Sequence, residues 1–272
     1  MAESTYMRLA LQDCVVTGHH AGLKLQHGLS QNDDKGKNAH RTNVAATVIS
    51  PKPEHNAYKI AFDRFDRLMK QPGVIRLRAE LTGPLAVGLG VASPTENGLA
   101  LFHTYGAPTI PASSLKGAFR RAIEALGDKL SADQKSFLVG SDRGKSSEAE
   151  SGRAGRLVFH DGWYEPSPIP DTPFHPDIMT PHHGGYYKNK GMADSADNAA
   201  GQYKAAPADF EDPVPVGFIS VKRGTKFVFY IECPTTDSAW LEFVREALTH
   251  TLTEVGLGAK TNAGYGYFKV IG

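Results

Sequence analysis

Near the carboxyl end of this 272-residue chain stands Gly256-Leu257-Gly258-Ala259-Lys260-Thr261-Asn262-Ala263-Gly264-Tyr265-Gly266-Tyr267-Phe268, four glycines around one lysine. A loop so poor in Cβ atoms can turn its backbone N–H groups outward and let a phosphate chain approach closely. A polyanion is therefore the first ligand these residues suggest. Leu241, Val244, Leu248, Leu252 and Val255 precede the loop at helical spacing, with Asp237 or Ser238 as cap. Tyr265, Tyr267, Phe268 and Val270 follow as a short strand. Walker A and Rossmann loops run the other way, from strand into helix, and use the positive helix N-terminus. Here the helix dipole opposes an anion, and Ala259 stands where Walker A needs glycine. Lys260 and the backbone donors would have to supply the attraction. Taken alone, the loop reads equally well as a tight connection without a ligand.

A second phosphate-like seat lies in Ile110-Pro111-Ala112-Ser113-Ser114-Leu115-Lys116-Gly117-Ala118-Phe119-Arg120-Arg121. Ser113 is read as the N-cap of a helix whose buried face is Leu115, Phe119, Ala122, Ile123 and Leu126. Its first turn offers Ser113, Ser114, Lys116 and the positive end of the dipole; an ordinary capped helix is the plain alternative. Ser113 to Lys116 also spells S-x-x-K, the nucleophile motif of serine acyl enzymes. Those enzymes need S-D-N and K-T-G, and neither tripeptide occurs.

His175, Asp177, His182 and His183 raise the possibility of a metal site, or of one histidine as general base in RNA cleavage. Adjacent His182 and His183 diverge on a strand, and no further ligand set accompanies them. The favoured reading is solvated or base-stacking histidines beside Lys188 and Lys190, in an aromatic and basic stretch of the kind single-stranded nucleic acid prefers. His19, His20 and His27 have no partner pattern and receive no role. No metal and no cofactor is expected.

The elements that must position these groups can be read along the chain. Residues 1–72 are expected to be an extension with one helix, over Ala57 to Lys70, packed on a main domain of residues 73–272. Gln31 to Asn38 reads as a loop, and loops are expected near 141–153 and 184–212. Val74 to Leu81 alternates as a half-buried strand, Arg156 to His160 resembles another, and Val216–Val221 with Lys226–Glu232 reads as a hairpin. Strand, helix, strand, strand, helix, strand is the ferredoxin-like βαββαβ plan, an α+β antiparallel sheet backed by helices. RNA-recognition motifs share it, but their aromatic signatures are missing. Two cysteines exclude a disulfide framework, and the lack of a long apolar run or leader pattern points to a cytoplasmic protein without a membrane partner. A net charge of +1 argues against gripping nucleic acid by bulk charge.

Ile110 to Arg121, Thr180-Pro181-His182-His183, Asp212-Pro213 to Phe218 and Gly256 to Phe268 together resemble the RAMP superfamily of CRISPR systems. The likeness is nearest to the sixth RAMP subunit of type III-B (Cmr) effector complexes and covers residues 74 to 272. It implies a non-catalytic RNA-binding backbone subunit for antiviral defence, in a multi-subunit complex where guide CRISPR RNA selects a complementary target RNA. Neighbouring RAMP and small helical subunits would be its partners, and its place the filament cap near the guide's 3′ end. By position, Ser113, Ser114 and Lys116 would meet the guide backbone, beside Gly256, Gly258, Lys260, Thr261, Gly264 and Gly266. His182, His183, Lys188 and Lys190 would reach toward the guide–target duplex. The rivals are a metal-independent CRISPR-RNA processing endoribonuclease using His160, His182 or His183, and a scaffold subunit without RNA contacts.

Overall fold

Val74–Leu81 forms β1, with Ile75, Leu77, Ala79 and Leu81 buried on one face and Arg76, Arg78 and Glu80 on the other. Both faces are covered, and that double cover organises the molecule. The computed structural model describes residues 19–49, 57–141, 152–180 and 214–271. Before β1 come α1 (Ala21–His27), α2 (Asp34–Ala45) and α3 (Ala57–Leu68). After it come β2 (Thr109–Ile110), α4 (Ala112–Ala125), α5 (Ala132–Val139), β3 (Val158–Phe159), β4 (Gly162–Tyr164), β5 (Phe174–Met179), β6 (Val216–Val221), β7 (Lys226–Glu232), α6 (Ser238–His250) and β8 (Phe268–Val270).

The main sheet runs β2-β4-β7-β1-β8, with β3 also paired to β7, and every pairing is antiparallel. Strand β7 is central, and Phe227 to Ile231 are all buried. Helices α4 and α6 cover one face, where Leu115, Phe119, Val244 and Leu248 join Ile75, Leu77, Phe227 and Phe229 in one core. Fully burying each such side chain stabilises the fold by about 1.5–3 kcal/mol.

The opposite face belongs to α3, which lays Phe62 on Val228 and Tyr230. Its Phe65 stacks on Trp163 at 4.8 Å between ring centroids. Asp66 of α3 accepts from Tyr230 Oη and Arg76 Nε, both at 2.6 Å, and pairs with Lys70 at 3.2 Å. Burial alone would push the Asp66 carboxyl up, but the hydrogen bonds from Tyr230, Arg76 and Lys70 outweigh it and hold the group below the usual carboxylate value.

Several expectations are corrected. Strands β6 and β7 are joined by a turn at Lys222–Thr225 but do not form a hairpin, because both edges of β7 are occupied, by β1 and by β3 with β4. Strand β6 pairs instead with β5 in a second, two-stranded sheet. Among the described residues before 72 there are three helices rather than one. Helix α2 starts inside the supposed loop, where the Asp33 carboxylate accepts from Gly36 N at 2.6 Å and caps it. The last strand begins at Phe268, since Tyr265 and Tyr267 belong to the loop before it.

Candidate nucleic-acid interface

The glycine loop begins where α6 widens into a π turn, Thr251–Val255, closed by Gly256 N donating to Thr251 O at 2.9 Å. It folds back onto the segment after β1: Ala259 N donates to Ala86 O at 2.7 Å and Gly266 N to Pro84 O at 2.8 Å. Two of its glycines are required by close approach. A Cβ on Gly258 would lie 2.4 Å from Ala86 O, and one on Gly266 only 1.8 Å from Leu257 O. Packing therefore accounts for these two, while Gly264, at φ +85° with open space around it, forms part of an exposed crest with Asn262 and Ala263.

Lys260 sits in the left-handed conformation at φ 62°, ψ 29°, which is unfavourable for any residue with a Cβ. Its ammonium lies over the Phe218 ring of β6, 5.5 Å from the centroid. Thr261 is half-buried beside it.

Helix α4 begins at Ala112, so the N-cap position falls to Pro111 and not to Ser113, which is exposed in the first turn. The cap comes from elsewhere: the Asp161 carboxylate accepts from Ala112 N at 2.7 Å. Asp161 stands at the break between β3 and β4, where the chain leaves the ladder of β7. An anion already occupies the first N–H of the supposed phosphate seat, so a second anion there would meet like charge. What the tip still offers is the Ser113 and Ser114 side chains and half-buried Lys116.

Loop and helix tip are linked through the fold. The π turn leading into the loop packs on α4. A ladder also joins them: Ala259 N to Ala86 O, then Ala100 N to Val87 O at 3.0 Å, then Thr109 N to Ala100 O at 3.2 Å. Thr109 thus stands three strand spacings, roughly 14 Å, from Ala259, two residues before Pro111. His182, His183, Lys188 and Lys190 lie outside the described residues. The flat stacking surface of an RNA-recognition motif is absent from the described sheet, because α3 covers that face, packing Tyr58, Phe62 and Phe65 against Trp163 of β4.

The sequence reading missed three residues that shape this interface: Asp161 at the helix tip, Phe218 under Lys260, and Tyr265, whose hydroxyl donates to Asp177 at 2.7 Å. For Asp161 the signal was a carboxylate next to glycine at a strand break. His160 is tied elsewhere, 2.6 Å from Glu232 and edge-on to Phe65. Among the described residues no cluster of three or more His, Cys, Asp or Glu is placed to hold a metal, and no helix is long and apolar enough to cross a membrane.

The description RAMP superfamily matches residues 78–269, well over half of the chain. Two relatives are similar along most of their length. The CRISPR system Cmr subunit Cmr6 of Pyrococcus furiosus is 23% identical over 82% of this chain and 76% of its own. The Cmr6 subunit of Saccharolobus solfataricus is 26% identical over 80% of this chain and 66% of its own. In fold, the chain is similar to one in the cryo-EM structure of the type III-B Cmr-beta complex bound to cognate target RNA, with a TM-score of 0.62 at 18% identity, covering 87% of this chain and 71% of that one.

Proposed function

Since the chain belongs to the RAMP superfamily, we propose that it is a Cmr6-like, non-catalytic subunit of a type III-B CRISPR complex that holds guide RNA with the glycine loop and the tip of α4. The observation that supports this reading is the linkage of those two segments, by the π turn packed on α4 and by the ladder from Ala259 to Thr109. A phosphate strand held by both segments would run from Lys260 and the exposed crest at Gly264 toward Lys116. The strand order β8-β1-β7 followed by β3 and β4, with α4 after β1 and α6 after β7, supports the ferredoxin-like plan. A place near the guide's 3′ end, capping the filament between neighbouring subunits, goes with the likeness to Cmr6. So does recognition of target RNA through the guide's base pairing.

The engagement of His160 with Glu232 and Phe65 supports a structural role for it and weighs against the endoribonuclease alternative through that residue. A net charge of +1 suits a subunit contributing a narrow basic strip to a shared groove. The test is a complex reconstituted with Lys116→Ala and Lys260→Ala together, its retained guide RNA measured after a salt wash. Loss of guide from this subunit's end of the complex is expected; full retention would favour the scaffold alternative.

A further inference from the structure

Strands β5 and β6 set His175 opposite Ser220 and Asp177 opposite Phe218, and directly opposed residues project to the same side of an antiparallel pair. That side meets the glycine loop. Tyr265 Oη donates to Asp177 Oδ2 at 2.7 Å, and Ser220 Oγ reaches the same oxygen at 3.4 Å. The other carboxylate oxygen accepts from Ile178 N at 2.8 Å. With both oxygens engaged, Asp177 is a fixed acceptor. Phe218, 1% exposed, lies 6.3 Å from the Tyr265 ring and carries the Lys260 ammonium on its own. Tyr265 N donates to Lys260 O at 3.3 Å, so the residue pinned to the β5–β6 sheet also closes the turn that bears the lysine.

We propose that Tyr265 and Asp177 are positioning residues for RNA binding: their hydrogen bond clamps the glycine loop to the β5–β6 sheet and holds Lys260 in its left-handed conformation, ammonium presented to a phosphate. The inference rests on the proposed role of Lys260 in gripping RNA. Released from the clamp, Lys260 relaxes toward commoner backbone conformations and the ammonium loses its fixed place, so binding must first reorder the loop. The hydroxyl of Tyr265 then matters to affinity although it carries no charge.

Fluorescence anisotropy of the full chain with a fluorescein-labelled polyuridine oligonucleotide tests this, with thermal melts confirming that each variant is folded. Tyr265→Phe is expected to weaken binding about tenfold, the scale of losing one hydrogen bond to a charged acceptor. It should leave the slope of log affinity against log salt unchanged. Lys260→Ala should weaken binding and reduce that slope by about 0.7. Asp177→Asn, which keeps an acceptor for the hydroxyl, should bind within about twofold of wild type, whereas Asp177→Ala should match Tyr265→Phe. In the Lys260→Ala background Tyr265→Phe should cost nothing further. Wild-type affinity in Tyr265→Phe alongside a loss in Lys260→Ala overturns the positioning role alone, as does an equal effect of Tyr265→Phe in both backgrounds. No loss on Lys260→Ala removes the underlying assignment and this inference with it.

Discussion

Gly266→Ala asks whether the glycine loop is built first to pack. The Gly266 N–H donates to Pro84 O at 2.8 Å, and its carbonyl accepts from Leu257 N at 2.9 Å. Its φ is +74° and an added Cβ would sit 1.8 Å from Leu257 O, so something must move and the hydrogen bonds on both sides resist. The left-handed backbone costs alanine about 1–2 kcal/mol, and pushing the two strands of the loop apart adds about 1–3 kcal/mol. The sum, about 2–5 kcal/mol, is a large part of a typical domain stability of about 5–15 kcal/mol. At about 2–4 °C per kcal/mol for a chain of this size, the melting temperature should fall by roughly 4–20 °C. Gly264→Ala is the control, because φ is +85° there but nothing lies within reach of a Cβ. It should cost about 1–2 kcal/mol, or roughly 2–8 °C. Circular-dichroism melts and urea titrations of both variants measure the difference. A Gly266→Ala chain as stable as Gly264→Ala would refute the packing argument and return Gly266 to the list of residues kept for a ligand.

Two further outcomes follow from the carboxylates. Asp66 has a lowered folded-state pKa, so its stabilisation is present above the unfolded value near about pH 4 and is lost as pH falls through the folded value. Asp66→Asn should therefore be less stable than wild type by about 2 kcal/mol at neutral pH, with the gap closing in acid. Urea unfolding at a series of pH values reads it, and a gap that does not narrow as the pH is lowered would contradict the assignment. Asp161→Ala should cost about 1 kcal/mol by uncapping α4, yet strengthen polyuridine binding about two- to fivefold by removing a like charge from the helix tip. Weaker binding in that variant would show that Asp161 does not compete with phosphate.

The elements whose own side chains carry a burial pattern were legible from the residues alone. Strand β1 alternates, α3, α4 and α6 repeat apolar residues at helical spacing, and each pattern exists because one face must leave water whatever lies opposite. The glycine and lysine spacing of 256–266 was legible too, since left-handed and close-packed backbone admits few other residues. Helix α2 escaped notice because Asn38, His40, Arg41 and Asn43 blur its apolar stripe, though His40 and Arg41 are buried. Tertiary structure alone decided which neighbours those elements meet. Strand β6 left β7 for β5 because β7 had no free edge. Asp161 became the cap of α4 across 49 positions, and Asp177 the anchor of Tyr265 across 88. A hydrogen bond between groups so far apart in the chain leaves no periodicity behind it; it exists only after the sheet has brought its strands into register.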